Sequence, residues 1–257
     1  MSAWTTEELR RKRAASFGEV ATDYERSRPG YPEEAARWVA GDRPVEVLDV
    51  AAGTGKLTVQ LHDLGHSVVA LEPSAKMLDQ LQRRRGGIAA VNGPAEALPF
   101  GPRSFDTITV AQAFHWFDHA VATAEFARVL RPGGRVGLLW NLRDESVDWV
   151  AELSRLIGSG SERSQGHHDE GSYDPFASSQ HFGPLTNRTF RFEQPLDRDV
   201  LTGLVRSRSY VATLSEEEQK HVFERVVRLC EEHPALAGRS RFPMPYRTVV
   251  FCAERIR

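Results

Sequence analysis

The chain has 257 residues, 40% of them hydrophobic, and a formal net charge of −2, which suits one α/β domain with an added cap around a buried core. Its basic residues form no dense block, which argues against a nucleic-acid partner; Lys12, Lys56, Lys76 and Lys220 are its only lysines, the other 29 basic residues being arginine. Cys230 and Cys252 lack metal-ligand spacing and are too few for a disulfide scaffold. The charged start (Glu7, Glu8, Arg10, Arg11, Lys12, Arg13) lacks the apolar core of a signal peptide, and no apolar run approaches the roughly 18 residues that span a bilayer. The expectation is a cytoplasmic protein, a monomer or homodimer, with no membrane partner.

Five strands are predicted in succession: Val45 to Val50, Ser67 to Leu71, Ile88 to Asn92, Thr107 to Ala111 and Val136 to Trp140. Each is followed by helix-compatible sequence, a pattern that implies a parallel sheet covered on both faces. The first runs through Asp49 into Ala51-Ala-Gly53-Thr-Gly55-Lys56, and the second ends on Glu72. A tight turn and a helix start therefore stand at the carboxyl end of one strand, with a carboxylate at the carboxyl end of the next, which is the arrangement of a nucleoside cofactor site. Gly53 and Gly55 are expected to leave room for the ligand, and Glu72 to accept both ribose hydroxyls. Thr58 stands where a dinucleotide fingerprint wants its third glycine, and no Gly-Lys-Ser/Thr follows the turn, so neither a dinucleotide loop nor a phosphate-cradling loop is expected.

Beyond Arg143, Asp148 to Ile157 reads as a helix. Gly158 to Gly171 reads as a loop whose histidines, His167 and His168, complete no metal site. Thr189 to Phe192 and Thr248 to Ala253 read as the last strands. Between them Arg198 to Tyr210 and Ser215 to Glu232 read as helices, the second opening on the capping box Ser215-Glu-Glu-Glu218.

The acid-terminated strand followed by x-Ala-x-Gly-x-Gly resembles motif I of the class I S-adenosylmethionine-dependent methyltransferases, with Ala51 at a glycine position where a negative φ would suit it. Val91 to Phe100 is similar to the family's third strand end, which sets Ala95 and Glu96 beside adenine. Ser104 to Asp118 resembles the fourth strand and its active-site exit, and Glu125 to Arg135 a helix closed by Pro132 and Gly133 before the fifth strand. Ala-Gln112-Ala-Phe-His115-Trp-Phe-Asp118, with Trp140-Asn141 and Tyr31-Pro32, resembles the trans-aconitate methyltransferase-type small-molecule group.

The resemblance implies a Rossmann-like seven-stranded sheet, mostly parallel with an antiparallel last strand, helices on both faces and a helical cap. It implies a single domain, 1–257, with an N-terminal lid (1–40), a cofactor core (45–142) and cap helices with final strands (143–257). The cofactor is S-adenosylmethionine, released as S-adenosylhomocysteine, and the partner is a small-molecule methyl acceptor. Asp49, Ala51, Gly53, Gly55, Glu72, Ala95, Glu96, Gln112 and the lid residue Tyr24 are the expected cofactor contacts, and no metal is expected.

For the chemistry, His115 either takes a proton from a hydroxyl or amine acceptor, an imidazole titrating near pH 6.5 being suited to that, or joins Trp116 and Phe117 as a pocket wall. Arg206, Arg208 and Arg247 either hold an anionic acceptor through paired hydrogen bonds or form a solvated face with a structural ion pair. The expected reaction is O-methylation of a carboxylate or hydroxyl. N- or C-methylation and a non-catalytic cofactor-binding module are the alternatives.

Overall fold

The structure is a computed structural model that describes residues 27–157, 176, 177, 179–208, 211 and 214–256. Phe17, Tyr24, His167, His168 and Tyr210 lie outside them. The described elements in chain order are α1 (Glu33–Ala40), β1 (Glu46–Val50), α2 (Lys56–Asp63), β2 (Ser67–Leu71), α3 (Ala75–Arg84), β3 (Ala89–Val91) and β4 (Phe105–Ala111), then a 3-10 turn (Phe114–Trp116) and α4 (His119–Val129). β5 (Leu130–Arg143), α5 (Asp148–Leu156), β6 (Thr186–Leu196), α6 (Arg198–Arg206), α7 (Glu216–Glu232) and β7 (Phe242–Glu254) follow.

The strands form one seven-stranded sheet in the order β3-β2-β1-β4-β5-β7-β6. The ladders β3-β2, β2-β1, β1-β4 and β4-β5 are all parallel. β7 runs against β5, because Asp144 N bonds Pro245 O at the end of β5 while Arg255 N bonds Gly134 O near its start. It runs against β6 as well, with Thr186 Oγ1 bonding Cys252 O and Gly183 N bonding Glu254 O. One reversed strand in an otherwise parallel sheet is the result.

The chain divides into two compact units. The first holds Gly30–Leu142, the described residues up to Arg191 and those from Thr248 onward; the second holds the described residues before Gly30, those from Arg143 to 157, and Phe192–Arg247. In the first unit, successive β1 side chains alternate between the two faces of the sheet. Leu48 and Val50 join one apolar cluster with Ile108, Val110, Ala122 and Phe126. Val47 joins another with Ala35, Ala36 and Val39 of α1 and with Leu57 and Leu61 of α2. Burying a side chain of this size contributes roughly 1.5–3 kcal/mol, so strands buried on both faces anchor the unit. Asp118 caps α4 by accepting from Ala120 N and Val121 N.

The second unit has its own core, in which Trp149, Val150 and Leu153 of α5 meet Leu201, Leu204 and Val205 of α6, Val226 and Leu229 of α7, and Phe242, Met244 and Tyr246 of β7. α7 opens on the expected capping box, with Ser215 and Glu218 each satisfying the other's backbone.

The strand boundaries differ from expectation most at β5, which begins at Leu130 and runs through Pro132 and Gly133, while β6 and β7 also extend well beyond Thr189–Phe192 and Thr248–Ala253. Pro132 and Gly133 do not close the preceding helix, which already ends at Val129. An irregular step in the β4-β5 register, from Phe105↔Leu130 to Thr107↔Arg135, absorbs the extra residues. No helix among the described residues is long and apolar enough to cross a membrane.

Candidate active site

The turn after β1 reverses the chain through three left-handed residues, Ala51 (φ 53°), Gly53 (φ 58°) and Gly55 (φ 80°). Ala51 therefore does not take the negative φ expected of it. The reversal lets Ala52 N bond Leu71 O on the neighbouring strand, and it needs the left-handed conformation, which costs an alanine about 1–2 kcal/mol. The two glycines serve different purposes. A Cβ on Gly53 would meet only Met77 Sδ, at 3.7 Å, whereas one on Gly55 would lie 2.2 Å from Leu81 Cδ1 of α3. Gly53 leaves space above the turn, whereas Gly55, expected to leave room for the ligand, lets the turn pack onto a helix.

Two carboxylates hold this turn. Asp49, 1% exposed, accepts from Thr58 Oγ1 at 2.5 Å and Thr109 Oγ1 at 2.7 Å, which ties β1 to α2 and β4. Burial pushes its carboxyl up to about 6, with the two threonine hydroxyls pulling the other way. Glu72, 6% exposed at the end of β2, accepts from Gly53 N at 3.0 Å and from Ser74 N at 2.9 Å. Burial raises its carboxyl above the usual range, opposed by those backbone bonds. Asn92 Nδ2 donates to Glu72 O and Pro73 O, fixing the ends of β2 and β3. In sequence Thr58 shows only as a missing glycine; the signal for its role is a hydroxyl nine residues after a strand-end acid, in the first turn of the next helix.

The other expected residues of this unit stand at the same strand ends. Ala95 is buried in the loop after β3, and Glu96 Oε1 accepts from Asp118 N at 2.9 Å. Gln112 follows β4 with φ 60°, its N–H bonding Leu139 O and its Nε2 reaching Asn141 O at 3.4 Å. His115 sits half-buried in the 3-10 turn, its ring centroid 4.6 Å from that of Trp116. Asn141 accepts from Thr248 Oγ1 and donates to Gly30 O, which holds the chain just before Tyr31. The structure thus brings Asp49, Ala51, Gly53, Glu72, Ala95, Glu96, Gln112 and His115 to the carboxyl edge of one parallel sheet, where such sheets bind ligands. Arg206 and Arg247 belong to the second unit. Arg206 is exposed, its guanidinium 5.4 Å from the Phe223 ring centroid. Arg247 points to the opposite face of β7 from Tyr246.

The turn fits a nucleoside ligand. Space is open over Gly53, the buried Thr54 hydroxyl has no hydrogen-bond partner among the described residues, and each Glu72 oxygen keeps acceptor capacity after its one backbone bond. A sheet of this order with one reversed strand, carrying a glycine turn and a strand-end carboxylate, defines the class I methyltransferase architecture.

Comparison with known proteins agrees. A family model described as a methyltransferase domain matches residues 48–138. An uncharacterised methyltransferase of Mycobacterium tuberculosis is 40% identical over 240 residues, spanning 93% of this chain and 96% of the relative. An uncharacterised methyltransferase-like protein of Schizosaccharomyces pombe is 29% identical over 250 residues, spanning 93% of this chain and 95% of its own. A solved protein of Anaeromyxobacter dehalogenans described as a candidate type II methyltransferase shares the fold, with a TM-score of 0.65 at 22% identity over 89% of this chain and 98% of that one. The chain belongs to the class I S-adenosylmethionine-dependent methyltransferases, and S-adenosylmethionine is its cofactor.

Proposed function

We propose that the chain transfers a methyl group to an oxygen of a small molecule, a carboxylate or a hydroxyl. The observation that carries this reading is the half-buried imidazole of His115 at the carboxyl end of β4, at the same sheet edge as Gly53 and Glu72. Among the cofactor contacts, Glu72 accepts the ribose hydroxyls, Asp49 holds the turn in shape, Gly53 and Gly55 form it with Ala51, Ala95 and Glu96 line the adenine side, and Gln112 closes over the cofactor. When bound, S-adenosylmethionine supplies an electrophilic methyl carbon on a positively charged sulfur. The chain's own part is positioning and exclusion of water. Phe114, Trp116 and Phe117 around His115 suit that task, and the guanidinium groups of Arg206 and Arg247 suit an anionic acceptor.

A carboxylate is ionised at neutral pH and needs no base; a hydroxyl needs its proton removed, which His115 can do. Purified protein incubated with methyl-labelled cofactor and a panel of organic acids, phenols and amines tests the reading. A product that releases methanol in mild base is a methyl ester, whereas a base-stable product on a hydroxyl is an ether. With a carboxylate acceptor, His115→Ala leaves the pH profile flat above about pH 6. With a hydroxyl acceptor, it lowers the rate by roughly 10²–10⁴-fold. Label found only on nitrogen or carbon contradicts O-methylation, and binding without transfer to any acceptor marks a non-catalytic module.

A further inference from the structure

The second unit contains a buried polar atom that has no partner among the described residues. Tyr246 on β7 is 2% exposed, and its ring stacks on Phe192 of β6 at 5.3 Å and 17°. Its hydroxyl has no hydrogen-bond partner among the described residues. Buried hydroxyls are ordinarily paired, and an unpaired one calls for an explanation.

Three cationic groups, Arg28, Arg143 and Arg208, act on it, and the first two are held by hydrogen bonds. Arg28 donates through Nε to Ser207 Oγ at 2.9 Å and through Nη2 to Ser207 O at 2.8 Å, and the Ser207 hydroxyl is itself anchored on Leu204 O. Arg143 is buried and donates through Nε to Ser154 Oγ at 3.0 Å. Arg208 directly follows the serine that fixes Arg28. The charges of Arg208, Arg143 and Arg28 all act on the Tyr246 hydroxyl, which burial raises above its ordinary range against their pull. Tyr246 is thus a neutral O–H donor at neutral pH, under the pull of three guanidinium groups that are donors only.

We propose that the second unit binds an oxyanion of a small molecule, with the Tyr246 hydroxyl as one donor and Arg28, Arg143 and Arg208 supplying the positive charge. A carboxylate and a phosphate share the required chemistry: an acceptor for the O–H and a negative charge for the guanidinium groups. Arg206 and Arg247 lie outside this group, the first over Phe223 and the second on the other face of β7. The site stands on the geometry of the second unit alone and takes from the O-methylation reading only the expectation that carboxylates are the first ligands to try.

The test is titration of the full chain, without cofactor, with acetate, succinate, citrate and inorganic phosphate, followed by calorimetry and by thermal melting. Saturable binding of a carboxylate is expected, with a rise in Tm. Tyr246→Phe keeps the ring and its stacking, so the ligand-free protein should melt at the same temperature or higher, while affinity falls about tenfold or more. Arg208→Gln should weaken binding at least as much, and Arg198→Gln, which changes an exposed residue paired with Glu231, should leave it intact. Phosphate binding alone, with the same dependence on Tyr246 and Arg208, supports the site and assigns it to a phosphate ligand. Absence of saturable binding by any of the four anions, or binding indifferent to both Tyr246→Phe and Arg208→Gln, overturns the proposal. Because no methyl transfer is measured, that failure leaves the O-methylation reading standing.

Discussion

In the first unit the buried charges are carboxylates, and the chain satisfies them itself: Asp49 holds two threonine hydroxyls, and Glu72 two backbone N–H groups. In the second unit three guanidinium groups act on Tyr246, whose buried hydroxyl has no partner among the described residues. The contrast separates two ways of preparing for a ligand. A cofactor turn whose carboxylates are already bonded is shaped before the ligand arrives, so binding costs little reorganisation. A donor left unpaired among cations is instead a destabilising feature that a suitable anion relieves.

The greatest loss of stability is expected at Gly55. Gly55→Val places a Cβ 2.2 Å from Leu81 Cδ1 at a φ of 80°, combining overpacking with left-handed strain, and should destabilise the fold by about 3 kcal/mol or more in urea unfolding. Gly53→Val, with open space around the new Cβ, should cost markedly less stability yet abolish cofactor binding. Equal destabilisation by the two would remove the distinction between a packing glycine and a ligand-facing one.

Next comes the cost of burying Asp49. Its carboxyl is raised from 3.8 to about 6 in the folded protein, so the folded state holds the proton more tightly than the unfolded chain. Stability from this group is complete below about pH 4 and is lost as pH rises to about 6, a difference of roughly 3 kcal/mol. Glu72 shifts in the same direction, while Asp106 and Glu125, whose carboxyls are lowered, oppose it. The clean readout is therefore a difference between proteins. The stability of Asp49→Asn relative to wild type, without cofactor, should rise by roughly 3 kcal/mol from pH 4 to pH 7. A gap that does not change with pH would show that Asp49 does not carry the shift.

The smallest effect concerns Ala51. Relief of its positive φ by Ala51→Gly should stabilise the protein by about 1 kcal/mol, read as an upward shift in urea midpoint at unchanged slope.

The first unit was largely legible because its signals are contiguous. β2 matches its predicted span, β1 differs by one residue, and the acid, the glycines and Glu72 fall within 24 consecutive positions whose order states their geometry. Three features of that unit were not legible. The packing need at Gly55 comes from Leu81, 26 positions away. Ala51 is a residue that rarely adopts the φ the turn requires. β5 passes through a Pro-Gly-Gly run that reads as a stop and is tolerated only because the register with β4 slips there.

The second unit was legible as helices and caps but not as a site. Arg28, Arg143, Arg208 and Tyr246 are spread across most of the chain, and no spacing links them. The visible arginine pair at 206 and 208 divides between an exposed contact on Phe223 and the surroundings of Tyr246, a split set by the end of α6 at Arg206.

Calorimetric titration of S-adenosylmethionine into wild type and Glu72→Ala tests whether the Gly53 turn and the Glu72 carboxylate form the cofactor site. The expected result is saturable binding at one site per chain, weakened by roughly 1.5–3 kcal/mol in the variant as hydrogen bonds to a charged acceptor are lost, with circular dichroism unchanged. Equal affinity in the two proteins, or tight binding of NAD with no affinity for S-adenosylmethionine, would contradict it.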